Sequence, residues 1–432
     1  MWSLAYNLLL FLAAIFALPY YGLKMLLTGK YRHSLGPKLG IAPLTAVSSL
    51  PGRPRIWVHA VSVGEVTAAA PIIRELYSLL PEACIVLSTS TETGQQMARK
   101  LATGASLIYY PLDIPCVVKK FLDCVRPDIF VPVETEVWPN FVRLCRKRGT
   151  RVVMVNGRIS PRSFARYKST AFFWKDVFGG LDQAGMISKA DAERIGTLGV
   201  ENSRIKIMGN SKYDGFATAV SPELRQETAG RLGMGAGAEV LVAGSTHEGE
   251  DSVIIDVYRK LLEKRPDFRL VIVPRHVERT AAVAELIGRA GFSDVIRMSR
   301  INAGEKRDGE RIVLVDVIGE LFKLYSLATV VFCGGSLVKK GGQNILEAAA
   351  WGKVVFHGPY MDDFRDEVKL LHEAGAAITV SGGEELYAGI DKFLDNPPLL
   401  HEKGGAGQRA VAAARGAAAR YAALVRDTLL LK

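Results

Sequence analysis

At 432 residues, with 49% hydrophobic and 23% charged side chains, the chain can hold two α/β domains with separate cores, and the balance excludes wholesale disorder. A net charge of +11, without long basic tracts or an aromatic–basic motif, disfavours a nucleic-acid partner and fits an anionic membrane surface or a phosphorylated lipid. Five cysteines (Cys84, Cys116, Cys124, Cys145, Cys333) without C-x-x-C spacing argue against a disulfide framework and a zinc site, and the seven histidines show no paired ligand spacing.

The first 23 residues, Met1 to Leu23, carry no charged side chain. A helix of that length, at about 1.5 Å per residue, matches a hydrocarbon core of about 30 Å. Lys24, Lys30, Arg32 and Lys38 follow at once, so residues 1–24 are expected to be a membrane anchor with everything after it on the cytoplasmic side. No basic flank or cleavage site marks a secretory signal. Asn7, Pro19 and the Tyr20-Tyr21 pair leave open whether the segment spans or lies in the interface.

Strand-like and helix-like runs then alternate. Arg55 to Ala60 reads as a strand and Glu65 to Leu80 as an amphipathic helix; Ile85 to Thr89, Ser106 to Tyr110, Ile129 to Val133, Arg151 to Val155 and Gln183 to Ile187 read as further strands, each followed by a helical pattern. That is the βα signature of a parallel sheet. Between Met208 and Gly237 turn formers dominate, so residues 213–236 are expected to be a linker between domains at 25–212 and 237–405. Gly233-Met-Gly-Ala-Gly237 precedes a strand where a dinucleotide fingerprint must follow one, and is read as part of that linker. Val240 to Ala243, Arg269 to Val273, Ile312 to Val315, Thr329 to Phe332, Val354 to Phe356 and Ala377 to Val380 restart the alternation. The expected fold is α/β, two doubly wound Rossmann-like halves facing a cleft, with ligands beyond the carboxyl ends of the strands. Residues 406–432 are expected to be a C-terminal helix, carrying Arg409, Arg415, Arg420 and Arg426, whose alanines favour packing across the first domain over lying on the membrane.

Several strand ends carry residues suited to chemistry. In Cys333-Gly-Gly-Ser-Leu-Val-Lys-Lys-Gly-Gly-Gln-Asn-Ile-Leu-Glu347, paired glycines precede an expected helix from Ile345 to Trp351, where backbone N–H groups can approach a phosphate; Glu347, three residues past Asn344, can accept from ribose hydroxyls. His59-Ala-Val-Ser-Val-Gly-Glu65 places a carboxylate where it could deprotonate an attacking hydroxyl, or merely complement a helix dipole. Val133-Glu-Thr-Glu-Val-Trp-Pro-Asn140 sets Glu134 and Glu136 at a strand end, either as functional acids or as caps of the next helix. Ser245 and Thr246 in Ala243-Gly-Ser-Thr-His-Glu-Gly-Glu250 can cap a helix or bind phosphate, and Arg275 in Pro274-Arg-His can grip an anion in bidentate fashion. Asp362-Asp363 lacks further ligands for a metal.

Together, Val61-Ser-Val-Gly-Glu65, Glu134-Thr-Glu-Val-Trp-Pro-Asn140, Gly209-Asn-Ser-Lys-Tyr-Asp214, Ser245-Thr-His-Glu-Gly-Glu250, Pro274-Arg-His, Gly334-Gly-Ser-Leu and Gly341-Gly-Gln-Asn-Ile-Leu-Glu347 resemble, in order, the 3-deoxy-D-manno-octulosonic acid (Kdo) transferases of lipid A assembly. The resemblance covers about residues 30 to 370. It implies a GT-B glycosyltransferase that takes Kdo from CMP-Kdo to a tetra-acylated lipid A precursor by an inverting single displacement, with no metal or other cofactor. It also implies an acceptor-binding first domain and a nucleotide-sugar-binding second one. Carried over by position, Glu65 matches the catalytic base, and Glu136, or less well Glu134, the second acid. Ser245, Thr246, Arg275, Ser336, Gly342, Asn344 and Glu347 match the CMP side, and Lys212 an anion-binding lysine. The chain departs from the pattern at Lys339-Lys340, where the family often has Pro-His, and at Gln343, where it often has His. Two readings stand as alternatives: a membrane-associated GT-B transferase with a UDP-sugar donor, and a non-catalytic membrane-tethered nucleotide-binding protein.

Overall fold

The computed structural model describes residues 4–13, 15, 19, 34–41, 47, 50–102, 104–217, 220–235 and 237–430. Two compact units result, Met1–Gly215 with Arg415–Lys432, and Phe216–Ala414. The first unit is built on β1 (Arg55–His59), β2 (Cys84–Thr89), β3 (Ser106–Tyr109), β4 (Ile129–Pro132), β5 (Arg151–Gly157), β6 (Gln183–Met186) and β7 (Ile205–Ile207). They form one parallel sheet in the order β3-β2-β1-β4-β5-β6-β7. Helices cover both faces, which is why the central strands read as unbroken apolar runs. Along β1, Ile56 and Val58 pack with Ala69, Ile73 and Leu76 of the helix Val63–Leu79. Trp57 points the other way, its ring edge-on to Phe141 at 5.0 Å.

The second unit repeats the plan with β8 (Val240–Thr246), β9 (Arg269–Pro274), β10 (Val295–Arg297), β11 (Ile312–Leu314), β12 (Val330–Cys333), β13 (Val354–His357) and β14 (Ala377–Thr379). Its parallel order is β10-β11-β9-β8-β12-β13-β14. The α/β class with two doubly wound sheets is therefore as expected. The three-residue strands β7 and β10 had no counterpart in the sequence reading. Too short to show a period, both lie toward the edges of their sheets, where one side is solvated.

The stretch expected as a linker is largely helical, with helices Lys212–Ala217 and Pro222–Leu232. Ser221 accepts from Leu224 N–H at 3.1 Å and Gly233 ends the second helix at φ +57°. The polar residues taken for turn formers are thus cap and first turn. The expected C-terminal helix is two helices, Pro397–Ala413 in the second unit and Ala417–Leu430 in the first. The latter lies beside Val63–Leu79, its start held by Asp214, which accepts from Ala418 N–H at 2.6 Å. Tyr421, fully buried, donates to the Gly209 carbonyl at 2.7 Å, and a Cβ on Gly185 would stand 2.6 Å from its ring. Tyr421→Ala should cost about 3–4 kcal/mol and Tyr421→Phe about 1 kcal/mol in urea unfolding; equal losses would mean that the hydroxyl, not the ring, holds the helix.

Much of the expected anchor at 1–24 falls outside the described residues. Residues 4–13 are helical, with Leu4, Leu8, Leu9, Phe11 and Leu12 exposed. Among the described residues, no helix is long and apolar enough to cross a membrane.

Candidate active site

In each sheet the chain reverses its winding once, between β1 and β4 in the first unit and between β8 and β12 in the second. Loops leaving the carboxyl ends of such neighbours diverge and open a crevice, the usual ligand site of doubly wound folds. All four loops carry motifs singled out in the sequence.

In the first unit, Glu65 occupies the first turn of the helix Val63–Leu79, behind Ser62. Its carboxylate folds back on the loop after β1, accepting from Val61 N–H at 2.7 Å and from the Ser62 hydroxyl at 3.0 Å. Burial pushes its pKa up to about 7; the Val61 hydrogen bond opposes the rise, while Glu134 and Glu136 reinforce it. Glu136 is also raised, by burial first and then by Glu134. Glu134 stands at φ +59°, a left-handed conformation costly for a side chain. Its amide is tied to the Val155 carbonyl at 2.9 Å, and its carboxylate pairs with Lys212 Nζ at 2.8 Å. A Cβ on Gly64 would lie 3.8 Å from that ammonium, in ordinary contact, so Lys212 reaches alongside the Glu65 turn. The structure thus brings Glu65, Glu136, Glu134 and Lys212 together. A carboxyl that titrates near neutrality beside a fixed cation is suited to taking a proton from a bound hydroxyl.

The sequence reading missed the parts that hold Lys212. Ser211, fully buried, donates its hydroxyl to the Ala68 carbonyl at 2.8 Å, and its N–H goes to Asn156 Oδ1 at 2.9 Å. Asn156 sits at φ +52°; the Asn156-Gly157 pair ending β5 was the available signal. His59, sealed under the Tyr110 ring at a centroid distance of 3.7 Å, has its pKa pushed by burial down to about 3, so it stays neutral.

In the second unit the central group is one the sequence reading did not select. Glu250 is fully buried and accepts from four backbone N–H groups: His247 at 2.9 Å, Gly335 at 2.7 Å, Ser336 at 3.0 Å and Leu337 at 2.9 Å. The Gly334–Leu337 turn after β12, part of the glycine-rich stretch expected to approach a phosphate, is thus filled by the chain's own carboxylate. The Ser336 hydroxyl donates to the Cys333 carbonyl and accepts from Gly358 N–H at 2.8 Å, so this side chain serves the loop itself.

Gly342 N–H is likewise spent, on the Gly335 carbonyl at 2.8 Å. Gly341 and Gly342 both hold left-handed φ, +83° and +79°, and a Cβ on either would overlap Asp363 or Met361. The expected helix after them is only Leu346–Ala350. Its dipole is correspondingly small. Among the described residues, the N–H groups of Gln343, Asn344 and Ile345 have no protein acceptor. Asn344 Oδ1 caps Leu346 N–H at 3.0 Å, and its amide lies 3.4 Å from Glu347, whose pKa burial pushes up to about 7.

At the β8 end, Ser245 holds φ +56° and Thr246 has its hydroxyl buried without a partner among the described residues. Arg275 donates its N–H to the Thr246 carbonyl at 3.0 Å, leaving an exposed guanidinium with no partner among the described residues. Asp362, proposed against as a metal ligand, pairs with Arg365.

Two parallel seven-stranded sheets, each with polar loops at its switch point, make up a fold of the GT-B type. The fold is shared with a UDP-GlcNAc 2-epimerase from Neisseria meningitidis bound to UDP-GlcNAc (13% identity over 87% of this chain and all of that one, TM-score 0.59). A glycosyltransferase from Rickettsia africae ESF-5 also shares it (14%, 88% of this chain and 99% of that one, TM-score 0.58). At such identities the likeness speaks for the fold alone. In sequence, the family described as 3-Deoxy-D-manno-octulosonic-acid transferase (kdotransferase) matches residues 33–215. The 3-deoxy-D-manno-octulosonic acid transferase of Haemophilus influenzae is 31% identical over 99% of both chains, and that of Chlamydia pneumoniae 28% identical over 90% of this chain and 88% of its own. The chain belongs to the Kdo transferase family.

Proposed function

We propose that this chain transfers Kdo from CMP-Kdo to a lipid A precursor by an inverting displacement, at the cytoplasmic face of the inner membrane. The observation that carries the reading is Glu65: a buried, doubly hydrogen-bonded carboxyl titrating near 7, beside two further acids and a fixed lysine. As the acceptor's sugar oxygen attacks the anomeric carbon of Kdo, its proton passes to Glu65. The bond to CMP breaks with its electron pair leaving on the phosphate oxygen, and configuration inverts. The transition state is oxocarbenium-like, so a base that acts late and a stabilised leaving group carry the rate.

On the nucleotide side, the exposed Arg275 guanidinium and the open N–H groups of residues 343–345 suit the phosphate, Ser245 and Thr246 lie beside them in the same unit, and Glu347 suits the ribose. Ser336 and Gly342 act through the loop they hold. Lys212, though paired with Glu134, is partly exposed and can meet a phosphate of the acceptor. The apolar outward face of residues 4–13 and the charge of +11 support an anionic membrane surface as the place of reaction. Competition distinguishes the donors: CMP should inhibit transfer and UDP should not. Inhibition by UDP alone would overturn the Kdo reading.

A further inference from the structure

The helix Pro139–Lys147 begins directly after the loop bearing Glu134 and Glu136, and one buried carboxylate receives its first amides. Asp113 accepts from Asn140 N–H at 3.0 Å and Phe141 N–H at 2.9 Å, and its backbone carbonyl accepts from Asn140 Nδ2 at 2.7 Å. The same residues hold the N-terminal helix. Tyr6 donates its phenol to Asp113 Oδ2 at 3.0 Å, and Asn140 Nδ2 also donates to Asn7 Oδ1 at 2.7 Å. The Tyr6 ring packs on Phe173 at 5.5 Å. Tyr6, Asn7 and Leu10 turn inward, while Leu4, Leu8, Leu9, Phe11 and Leu12 face outward. An otherwise apolar helix is thus fastened by two polar side chains to the start of the helix whose entry loop carries the acids.

We propose that Tyr6 and Asn7 are positioning residues for the transfer reaction. Docked on Asp113 and Asn140, the N-terminal helix fixes the register of the loop that presents Glu134 and Glu136 beside Glu65. This rests on the reading of Glu65 as the base. The step from Asn140 back to Glu136 is short and stiff: Pro139 limits the backbone, and Trp138 hydrogen-bonds to the Glu136 carboxyl. Freed of Tyr6, Asp113 keeps only its two amide donors, and freed of Asn7, Asn140 loses one of its three side-chain hydrogen bonds. Both losses loosen the loop without removing any group that touches substrate.

The test compares the full-length chain with its Tyr6→Phe, Asn7→Ala and doubly substituted variants in phospholipid vesicles. In the double variant kcat should fall about tenfold, with KM for CMP-Kdo changed less than about twofold and vesicle co-sedimentation unchanged. Backbone hydrogen exchange over residues 134–141 should accelerate about tenfold, a readout that needs no activity. Unchanged kcat, or a fall matched by loss from the vesicles, would overturn the proposal, as would unchanged exchange. A wild-type chain that transfers no Kdo would instead sink the functional reading, with the exchange result still deciding the docking. Tyr6→Phe alone keeps the ring packing and guards against a folding defect in the double variant.

Discussion

Glu65→Gln lowers kcat for Kdo transfer by about 10²–10⁴-fold, the range for removing a positioned general base, and leaves CMP affinity unchanged. The same substitution stabilises the protein at pH 8. A carboxyl that titrates near 7 in the fold and near 4.5 when exposed keeps its proton longer in the native state. Stability therefore falls as pH rises through that window and stays lower above it. Glutamine removes the cost of burying the charge, on the order of 1–3 kcal/mol at pH 8, and the gain should vanish near pH 4. In the wild type, the rising limb of kcat/KM against pH should lie near 7. Near-normal turnover by the variant, or a limb near 4.5, would show that Glu65 is only a cap of its helix. Rate lost together with stability gained is the signature of a group held in an unfavourable state for function.

Glu250→Ala carries the second large effect. Four backbone amides converge on this one buried carboxylate, so its removal strands them in the interior. Each unpartnered amide costs about 1–3 kcal/mol, and with partial relaxation the total should reach about 3–5 kcal/mol in urea unfolding. The Gly334–Leu337 turn also supports Gly342 through the Gly335 carbonyl, so CMP affinity should fall in calorimetric titration even though Glu250 itself is fully buried. A loss below about 1 kcal/mol with CMP affinity intact would show that solvent replaces the carboxylate readily.

The contrast between Glu65 and Glu250 shows where sequence reasoning reaches its limit. The alternation of apolar strands and helices was legible because a parallel sheet buried on both faces demands it. The strand-end motifs were legible because function concentrates at those ends. Both glutamates lay within such motifs. What separates them is their partners: Glu65 binds its own turn, whereas Glu250 reaches across 85 to 87 positions of sequence to the turn after β12. Long-range hydrogen bonds leave no period or spacing to detect. Gly335, Ser336 and Leu337 therefore read as part of a phosphate-binding stretch when their N–H groups serve Glu250.

Asp113, Tyr6 and Asn7 escaped for the same reason, 27 to 133 positions from their partners. The helix Pro222–Leu232 was missed differently, because Ser221-Pro222 is equally a turn and a helix start until the downstream apolar residues find a neighbour.

Mass spectrometry of the lipid after incubation with CMP-Kdo and a tetra-acylated lipid A precursor tests the central claim most directly. With the wild-type chain the precursor should gain the mass of at least one Kdo residue, with CMP released in equal amount; with Glu65→Gln it should stay unmodified while CMP-Kdo still binds. A precursor left unmodified by the wild type, or glycosylated at the wild-type rate by the variant, would contradict it.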